Sequence, residues 1–237
     1  MKNINLKEYG RSFCDGKNIY GYGNVRLALH YYKFLVEPNV RGKSILDIGC
    51  GDGIIGTVSS ADVDYKGLDI NAGIYGVVDR PDVKYIPDFS ELLSAVEANV
   101  VDASLLIDVL EHTYDFTDLF EKALANTRNF VFVTLPNEEN IRVRIRFLFG
   151  KGIKTHGLDM HGLHINHRHL WLIQIPEAER LLTKVANKHN FELVNKTHFI
   201  GYPSTKWKRI LYKLVTNFLP WNLKATAFSL TFRKVSQ

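Results

Sequence analysis

The chain has 237 residues, a net charge of +5 and 46% hydrophobic residues, a composition that suits one large folded domain and excludes a disordered or low-complexity protein. The positive charge favours anionic surroundings such as nucleic acid, phospholipid head groups or a phosphorylated substrate, without choosing among them. Only Cys14 and Cys50 are cysteines, and no apolar stretch reaches the roughly 18 residues of a transmembrane helix. We therefore expect a cytoplasmic protein, either soluble or peripheral to a membrane.

Short β-branched segments alternate with longer helical patterns between residues 44 and 135, which is typical of a parallel sheet flanked by helices. After Pro136 the alternation stops, and a segment with three arginines and several histidines follows. A basic, aromatic segment separates the last two predicted strands. The predicted strands are 44–48, 65–69, 83–87, 103–108, 129–135, 191–197 and 225–234, and the predicted helices are 54–61, 89–98, 116–127 and 176–188.

A glycine-rich turn directly follows the first predicted strand. Gly49, Gly51 and Gly53 surround Cys50, and glycines allow bare backbone to approach a ligand closely. Asp69 ends the second predicted strand, where a carboxylate can accept hydrogen bonds from ribose hydroxyls. The pattern predicts a ligand that contains a nucleoside.

The segment from Asp47 to Gly53 resembles motif I of class I, Rossmann-like methyltransferases that use S-adenosylmethionine, and the resemblance covers residues 42–136. It implies an α/β fold with a doubly wound, mostly parallel seven-stranded sheet and an antiparallel C-terminal strand. It also implies that Asp69 binds the ribose, that Asp88 reaches the adenine amino group, and that Ile70 and Phe89 line the base. The expected cofactor-binding residues are Asp47, Gly49, Cys50, Gly51, Gly53, Asp69, Ile70, Asp88, Phe89 and Asp108.

This interpretation places the whole chain, residues 1–237, in one domain. The N-terminal part is expected to be helical and to lie on the substrate side. The expected divisions are 1–41 for that segment, 42–136 for the cofactor-binding core, 141–168 for a lid insertion, and 169–237 for the C-terminal part with a basic amphipathic helix near 206–219.

The glycines also leave other classes of protein open. Gly51, Gly53 and Gly56 form a G-x-G-x-x-G pattern, which would suit an NAD-binding oxidoreductase. Asp47 before the turn and Asp88 after the third strand favour S-adenosylmethionine, because the first could bond its amino-acid end and the second its adenine. A module that binds this cofactor or a nucleotide without catalysis is a further alternative.

Residues 108–112 follow the fourth strand and should line the site, because ligands of doubly wound sheets bind beyond the carboxyl ends of strands. They resemble the DVLEH segment of small-molecule methyltransferases, including those of ubiquinone biosynthesis. Asp108, His112 and His169 are the expected substrate-side residues, with His112 or His169 as the candidate base and His167 as a rival. His112 could equally hold the loop. The expected reaction is O-methylation of a small molecule, sugar or lipid-linked precursor.

Five histidines between residues 156 and 169 raise the question of a metal. Together with Glu111 and His112 they resemble metal-dependent methyltransferases of small-RNA 3′ ends, although Asp108 stands where that family has a glutamate. Metal-free relatives carry a histidine at a similar place, so we expect no catalytic metal. We also expect no nucleic-acid partner, because no RNA-binding signature appears.

Residues 206–219 predict an amphipathic helix with apolar residues at helical spacing and several lysines and arginines. Such a helix could pack over the substrate pocket as a lid, or it could lie on an anionic membrane and admit a lipid-linked acceptor. Arg142, Arg144 and Arg146 could likewise bind a phosphate group or cover the site with solvated charge.

Overall fold

The computed structural model describes residues 32–51, 53–70, 81–153, 156, 169–201 and 205–235, which are built around one seven-stranded sheet. The strands are β1 Ser44–Ile48, β2 Asp64–Asp69, β3 Val83–Tyr85, β4 Val101–Ile107, β5 Thr127–Pro136, β6 Phe191–Phe199 and β7 Ala227–Lys234. Their spatial order is β3-β2-β1-β4-β5-β7-β6. The first five strands of this order pair in parallel, and β7 pairs antiparallel with both β5 and β6. The predicted fold class is confirmed.

The central strands form because their side chains are apolar on both faces. Ile45 and Ile48 of β1, and Leu105 and Leu106 of β4, are fully buried, as expected for parallel strands that have helices on both sides. The order of the strands reverses between β1 and β4, which are neighbours in the sheet. This switch point is where doubly wound sheets open a crevice for a ligand.

A π-helical turn, Tyr32–Val36, leads into the first helix, and a 3₁₀ turn, Leu110–His112, follows β4. The α-helices are α1 Glu37–Val40, α2 Ile54–Val58, α3 Phe89–Glu97, α4 Asp118–Ala125, α5 Ile141–Leu148, α6 Ile175–Lys188, α7 Lys206–Thr216 and α8 Trp221–Lys224. Helix α4 begins two residues later than predicted, because Asp115 Oδ1 accepts the backbone N–H groups of Thr117 and Asp118 at 3.0 Å each. It ends earlier because Thr127 begins β5.

The segment after β5 is more regular than the sequence predicts. Residues 141–148 form α5 instead of irregular chain, and Asn140 caps the helix by accepting the N–H groups of Arg142 and Val143. Arg144 pairs with Glu139 at 3.1 Å, so this arginine is engaged in the fold. Most of the remaining lid insertion, including His161, His164 and His167, lies outside the described residues.

Helix α7 confirms the predicted amphipathic helix, and Tyr212 attaches it to neighbouring elements. Tyr212 stacks under the Arg142 guanidinium at 4.1 Å and donates to the Lys224 carbonyl at 3.2 Å. The apolar side chains Leu214 and Phe218 are 65% and 90% exposed, so packing of α7 over a pocket is not observed in the described part of the chain. Among the described residues no helix has the length and apolar character needed to cross a bilayer.

Candidate active site

The glycine turn is held at the carboxyl edge of the sheet by backbone hydrogen bonds. Gly49 and Cys50 both donate to the Leu68 carbonyl of β2, at 2.7 and 3.1 Å. Gly51 donates to Asp69 Oδ2 at 2.7 Å, and its carbonyl accepts from the Tyr85 hydroxyl at 3.2 Å. Strands β2 and β3 therefore fix the conformation of the turn after β1.

Two glycines are required here by close packing. A Cβ on Gly49, whose φ is +73°, would lie 2.3 Å from Val109 Cγ2, and a Cβ on Gly67 would lie 2.7 Å from Cys50 Sγ. The buried Cys50 side chain thus fills the space above Gly67 and supports the turn from beneath. Val109 brings the segment after β4 into contact with the same turn.

Two aspartates are buried beneath the turn. Asp47 on β1 accepts a hydrogen bond from the Tyr65 hydroxyl at 2.7 Å. Burial raises the pKa of Asp47 to about 7, the Tyr65 hydrogen bond opposes the rise, and the charge of Asp69 adds to it. Asp69, at the end of β2, supports the turn through Gly51, as described above.

The residues expected around the adenine differ in exposure. Asp88 caps α3: its Oδ1 accepts the backbone N–H groups of Ser90 and Glu91 and the Ser90 hydroxyl. The Ser90 hydroxyl is the main cause that lowers the pKa of Asp88. Ile70 is 37% exposed beside Asp69, whereas Phe89 packs partly against the main core. The carboxylate of Asp88 thus has a structural role that the sequence analysis did not identify.

Asp108 lies at the carboxyl end of β4 in a left-handed conformation, with φ +52°, which is uncommon for a residue with a side chain. Its N–H donates to the Thr134 Oγ1 and carbonyl oxygen, and the Thr134 hydroxyl donates back to Asp108 Oδ1 at 3.2 Å. Burial raises the pKa of Asp108, while Thr134 and His169 oppose the rise. The Thr134 hydrogen bonds hold Asp108 at the carboxyl end of β4.

Glu138, just after β5, joins two histidines through its carboxylate. Its two oxygens contact His169 Nδ1 at 2.6 Å and His156 Nε2 at 2.7 Å. The Glu138 N–H donates to the Ile173 carbonyl, and the Ile173 N–H donates to Glu138 Oε2. Burial alone would raise the pKa of Glu138, but the hydrogen bonds with the two histidines outweigh it and lower the pKa. The His169 ring is therefore fixed in orientation through Nδ1.

The 3₁₀ turn after β4 adds two further groups. The ring of His112 lies edge-on to that of His169, with 4.9 Å between ring centroids. Glu111 is 1% exposed, and its carbonyl accepts from Leu170 at 2.7 Å. Burial raises the pKa of Glu111 well above its usual value, and the charges of Asp108 and Glu138 add to the rise.

The structure brings the three expected substrate-side residues together. Asp108 and His112 follow β4. The ring of His169, which precedes α6, lies against that of His112, and the charge of His169 opposes the rise in the pKa of Asp108. Sequence reasoning identified neither Tyr65 nor Glu138 as a site residue. No local motif marks a carboxylate whose partners lie 18 and 31 residues away. The available signal was an acidic residue shortly after the apolar strand that ends at Pro136.

Comparisons with known proteins agree with this architecture. A family model described as a methyltransferase domain matches residues 21–196. A ubiquinone biosynthesis O-methyltransferase of Paraburkholderia phymatum is 32% identical over 110 residues, which are 43% of this chain and 47% of that protein. The match thus spans about half the length of this curated relative.

Two solved structures are similar in fold. Magnesium protoporphyrin IX methyltransferase from Synechocystis PCC 6803, crystallised with bound SAH, is 12% identical with a TM-score of 0.52, over 97% of this chain and 94% of that one. The small RNA methyltransferase HEN1 is 16% identical with a TM-score of 0.56, over 91% of this chain and 25% of that one. At these identities the similarity shows the fold alone.

The family match covers both the glycine turn and the segment after β4. It favours S-adenosylmethionine over NAD as the cofactor of the turn, and it favours an enzyme over a binding module. The chain belongs to the methyltransferase domain family.

Proposed function

We propose that this enzyme transfers the methyl group of S-adenosylmethionine to an oxygen of a small-molecule acceptor. The observation that carries the proposal is the placement of the glycine turn and the His169–Glu138 pair at one edge of the sheet. The turn follows β1, Asp108 follows β4 and Glu138 follows β5, and these parallel strands are neighbours in that order. A cofactor over the turn would present its methyl group toward the histidines.

The residues that we assign to cofactor binding lie at the same edge of the sheet as the glycine turn. The backbone of the turn approaches the cofactor, Asp69 binds the ribose hydroxyls, and Asp88 with Ile70 and Phe89 surrounds the adenine. Asp47 and Asp108 lie toward the amino-acid end. Support comes from the positive φ of Gly49, Gly51 and Gly53, which keeps the turn close to the strand ends, and from the contact between Asp69 and Gly51.

On the acceptor side, methyl transfer is an in-line displacement, so the main requirement is to align a nucleophilic oxygen with the methyl group. The carboxylate of Glu138 contacts His169 Nδ1. Nε2 lies on the opposite side of the ring and is therefore available to a bound acceptor. His112 lies beside this ring. We assign His112, His169 and Asp108 to binding the acceptor hydroxyl and receiving its proton.

The choice of oxygen rests on the relatives named ubiquinone biosynthesis O-methyltransferase. A small hydroxylated molecule, a sugar or a lipid-linked precursor would fit this chemistry. We further propose that α7 contacts an anionic membrane, which would bring a lipid-linked acceptor near the site. The support is charge complementarity, since Lys206, Arg209 and Lys213 accompany the exposed apolar side chains of α7.

The cofactor assignment is tested by calorimetric titration with S-adenosylmethionine, with NAD as the competing ligand. Asp69→Asn should weaken binding by about 1.5–3 kcal/mol, because it removes the charge that accepts the ribose hydroxyls. Asp64→Asn, at the other end of β2, is the matched control and should bind like the wild type. An unchanged dissociation constant for Asp69→Asn would remove the ribose assignment, and binding of NAD alone by the folded wild type would overturn the proposed cofactor site.

The oxygen assignment needs a separate assay. Transfer of a labelled methyl group should be measured with matched pairs of phenols and anilines of the same ring substitution. Methylated phenols without methylated anilines would support O-methylation. The reverse pattern would show that nitrogen is the acceptor atom.

A further inference from the structure

The acceptor side contains more ligand-type side chains than methyl transfer to a hydroxyl requires. Glu111, His112 and His169 each present one ligand atom, and these atoms lie within 4.8 Å of one another. Glu138, His156 and His169 form a second group with the same spacing, and its members contact each other directly. The two groups share His169.

Within the group of Glu111, His112 and His169, the side chain of Glu111 gives the strongest indication of a bound ion. Its side chain is 1% exposed, and its Oε2 has no hydrogen-bond partner within the part of the chain that the structure describes. A buried carboxylate oxygen without a partner is costly in a folded protein. Leu170 holds the Glu111 carbonyl, so the turn carrying Glu111 and His112 is fixed against the segment that carries His169.

His169 is oriented as histidine ligands commonly are. Its Nδ1 contacts a buried carboxylate, Glu138, at 2.6 Å, and this arrangement fixes the ring tautomer and leaves Nε2 as a donor of electrons to a cation. Ligand atoms around a tetrahedral Zn²⁺ lie about 3.4 Å apart. Because the ligand atoms lie within 4.8 Å of one another, rotations of the three side chains that close their separations by at most about 1.4 Å would bring them to that distance.

We propose that Glu111, His112 and His169 bind a divalent transition-metal ion such as Zn²⁺, with Glu138 orienting His169 and Asp108 beside the ion. The proposal deepens the proposed function, on which it rests, because the ion would bind the acceptor oxygen. It departs from the expectation of a metal-free site drawn from the sequence. Residue spacing could not show that Glu111 is buried and aimed at two histidines.

Two imidazoles and one carboxylate suit this class of ion and leave a coordination position open. An acceptor hydroxyl bound there would be held next to the methyl group and would lose its proton more readily. With the ion bound, Asp108 would receive that proton in place of His112 and His169, because both rings would then be ligands of the ion. This role gives the buried Glu111 oxygen a partner. It also explains why Glu138 contacts His169 through Nδ1, which leaves Nε2 for the ion.

The test is metal binding by the full chain, measured without catalysis. The protein is stripped with EDTA, dialysed, and titrated with CoCl₂ while the visible d–d absorption is followed, and zinc content is measured after dialysis against ZnCl₂. Glu111→Gln and His112→Asn should each lower metal affinity by more than about 100-fold, and Glu138→Gln by about 10- to 100-fold. Glu139→Gln is the matched control, since Glu139 adjoins Glu138 but pairs with Arg144.

Binding of S-adenosylmethionine is measured on every variant as the test of folding and of the proposed function. One ion per wild-type chain, retained by Glu139→Gln and lost from Glu111→Gln and His112→Asn while the cofactor still binds, would support the metal site. A wild type that binds the cofactor but takes up no Co²⁺ or Zn²⁺ would overturn it. Uptake that both substitutions leave unchanged would also overturn it, because the ion would then lie elsewhere. If the wild type did not bind S-adenosylmethionine, that result would contradict the proposed function and not the metal site.

Discussion

A buried acid on a central strand makes the stability of this fold depend on pH. Asp47 is 2% exposed on β1, and its contact with the Tyr65 hydroxyl only partly offsets the cost of burying its charge. With a pKa of about 7 in the folded state, the group keeps its proton through a range in which the unfolded chain has lost it. Because the folded state then holds more protons, its stability falls as pH rises.

We predict that Asp47→Asn removes this dependence in the protein without cofactor. Between about pH 4, the pKa of an unfolded aspartate, and the folded pKa of about 7, the wild type should lose on the order of 4 kcal/mol of stability through this one group. The variant should therefore gain in stability relative to the wild type across that range and show a constant difference above it. Urea unfolding at several pH values measures this.

Asp64→Asn removes an exposed carboxylate from the neighbouring strand and serves as the control. Its profile should keep the wild-type shape. A difference between Asp47→Asn and the wild type that stays constant from pH 4 to 8 would show that Asp47 is already ionised in the folded protein.

Sequence reasoning worked at the residue scale where a motif fixes the backbone. Gly49 and Asp69 could be placed because a turn with positive φ and an acid at the next strand end recur at fixed spacing. Glu138 and Tyr65 could not, because their partners are distant in sequence. Their roles depend on which strands become neighbours, and local patterns do not encode this.

At the scale of elements, the start of α3 combines a structural and a proposed functional role in one carboxylate. Asp88 Oδ1 accepts two backbone N–H groups at 2.8 and 3.0 Å, which satisfies donors that have no partner within the helix. The same side chain is exposed at the edge of the proposed adenine pocket. Serine at this position would keep the cap and remove the charge.

We therefore predict different results for two substitutions of Asp88. Asp88→Ala should lower the melting temperature by about 2–4 °C, as expected for the loss of a cap in a chain of this size, whereas Asp88→Ser should leave it near the wild-type value. Both should weaken S-adenosylmethionine binding by at least roughly tenfold if the carboxylate receives the adenine amino group. Thermal melts and calorimetry distinguish the two roles. Unchanged affinity in Asp88→Ser would leave Asp88 with the cap alone.

The strand boundaries in the first half of the chain could be predicted closely, because alternation of β-branched segments with turns is a local signal. Strand β1 has the predicted bounds, and β2 differs by one residue. Helix α5 was missed, since its arginines interrupt the apolar pattern and its start depends on the Asn140 cap. A cap is visible in sequence only when the helix after it is already expected.

At the scale of the whole molecule, positive charge and exposed apolar surface coincide on α7. Leu214 of α7 and Phe218 just after its end are exposed, and the helix carries basic residues along its length within a chain of net charge +5. The α5 side chain of Arg142 stacks on Tyr212, which fixes α7 beside the helix that follows β5. A surface of this kind suits adsorption to anionic lipid, because apolar burial and electrostatic attraction add.

We predict that the protein sediments with vesicles containing phosphatidylserine at low salt and less with vesicles of phosphatidylcholine alone. Leu214→Glu combined with Phe218→Glu should reduce the bound fraction more than tenfold, since each exposed apolar side chain contributes on the order of 1.5 kcal/mol when buried. Val100→Glu combined with Val235→Glu adds the same charge at exposed apolar positions away from α7 and is the control. Equal loss of binding in both double variants would assign the adsorption to net charge, and no binding by the wild type would leave α7 without a membrane role.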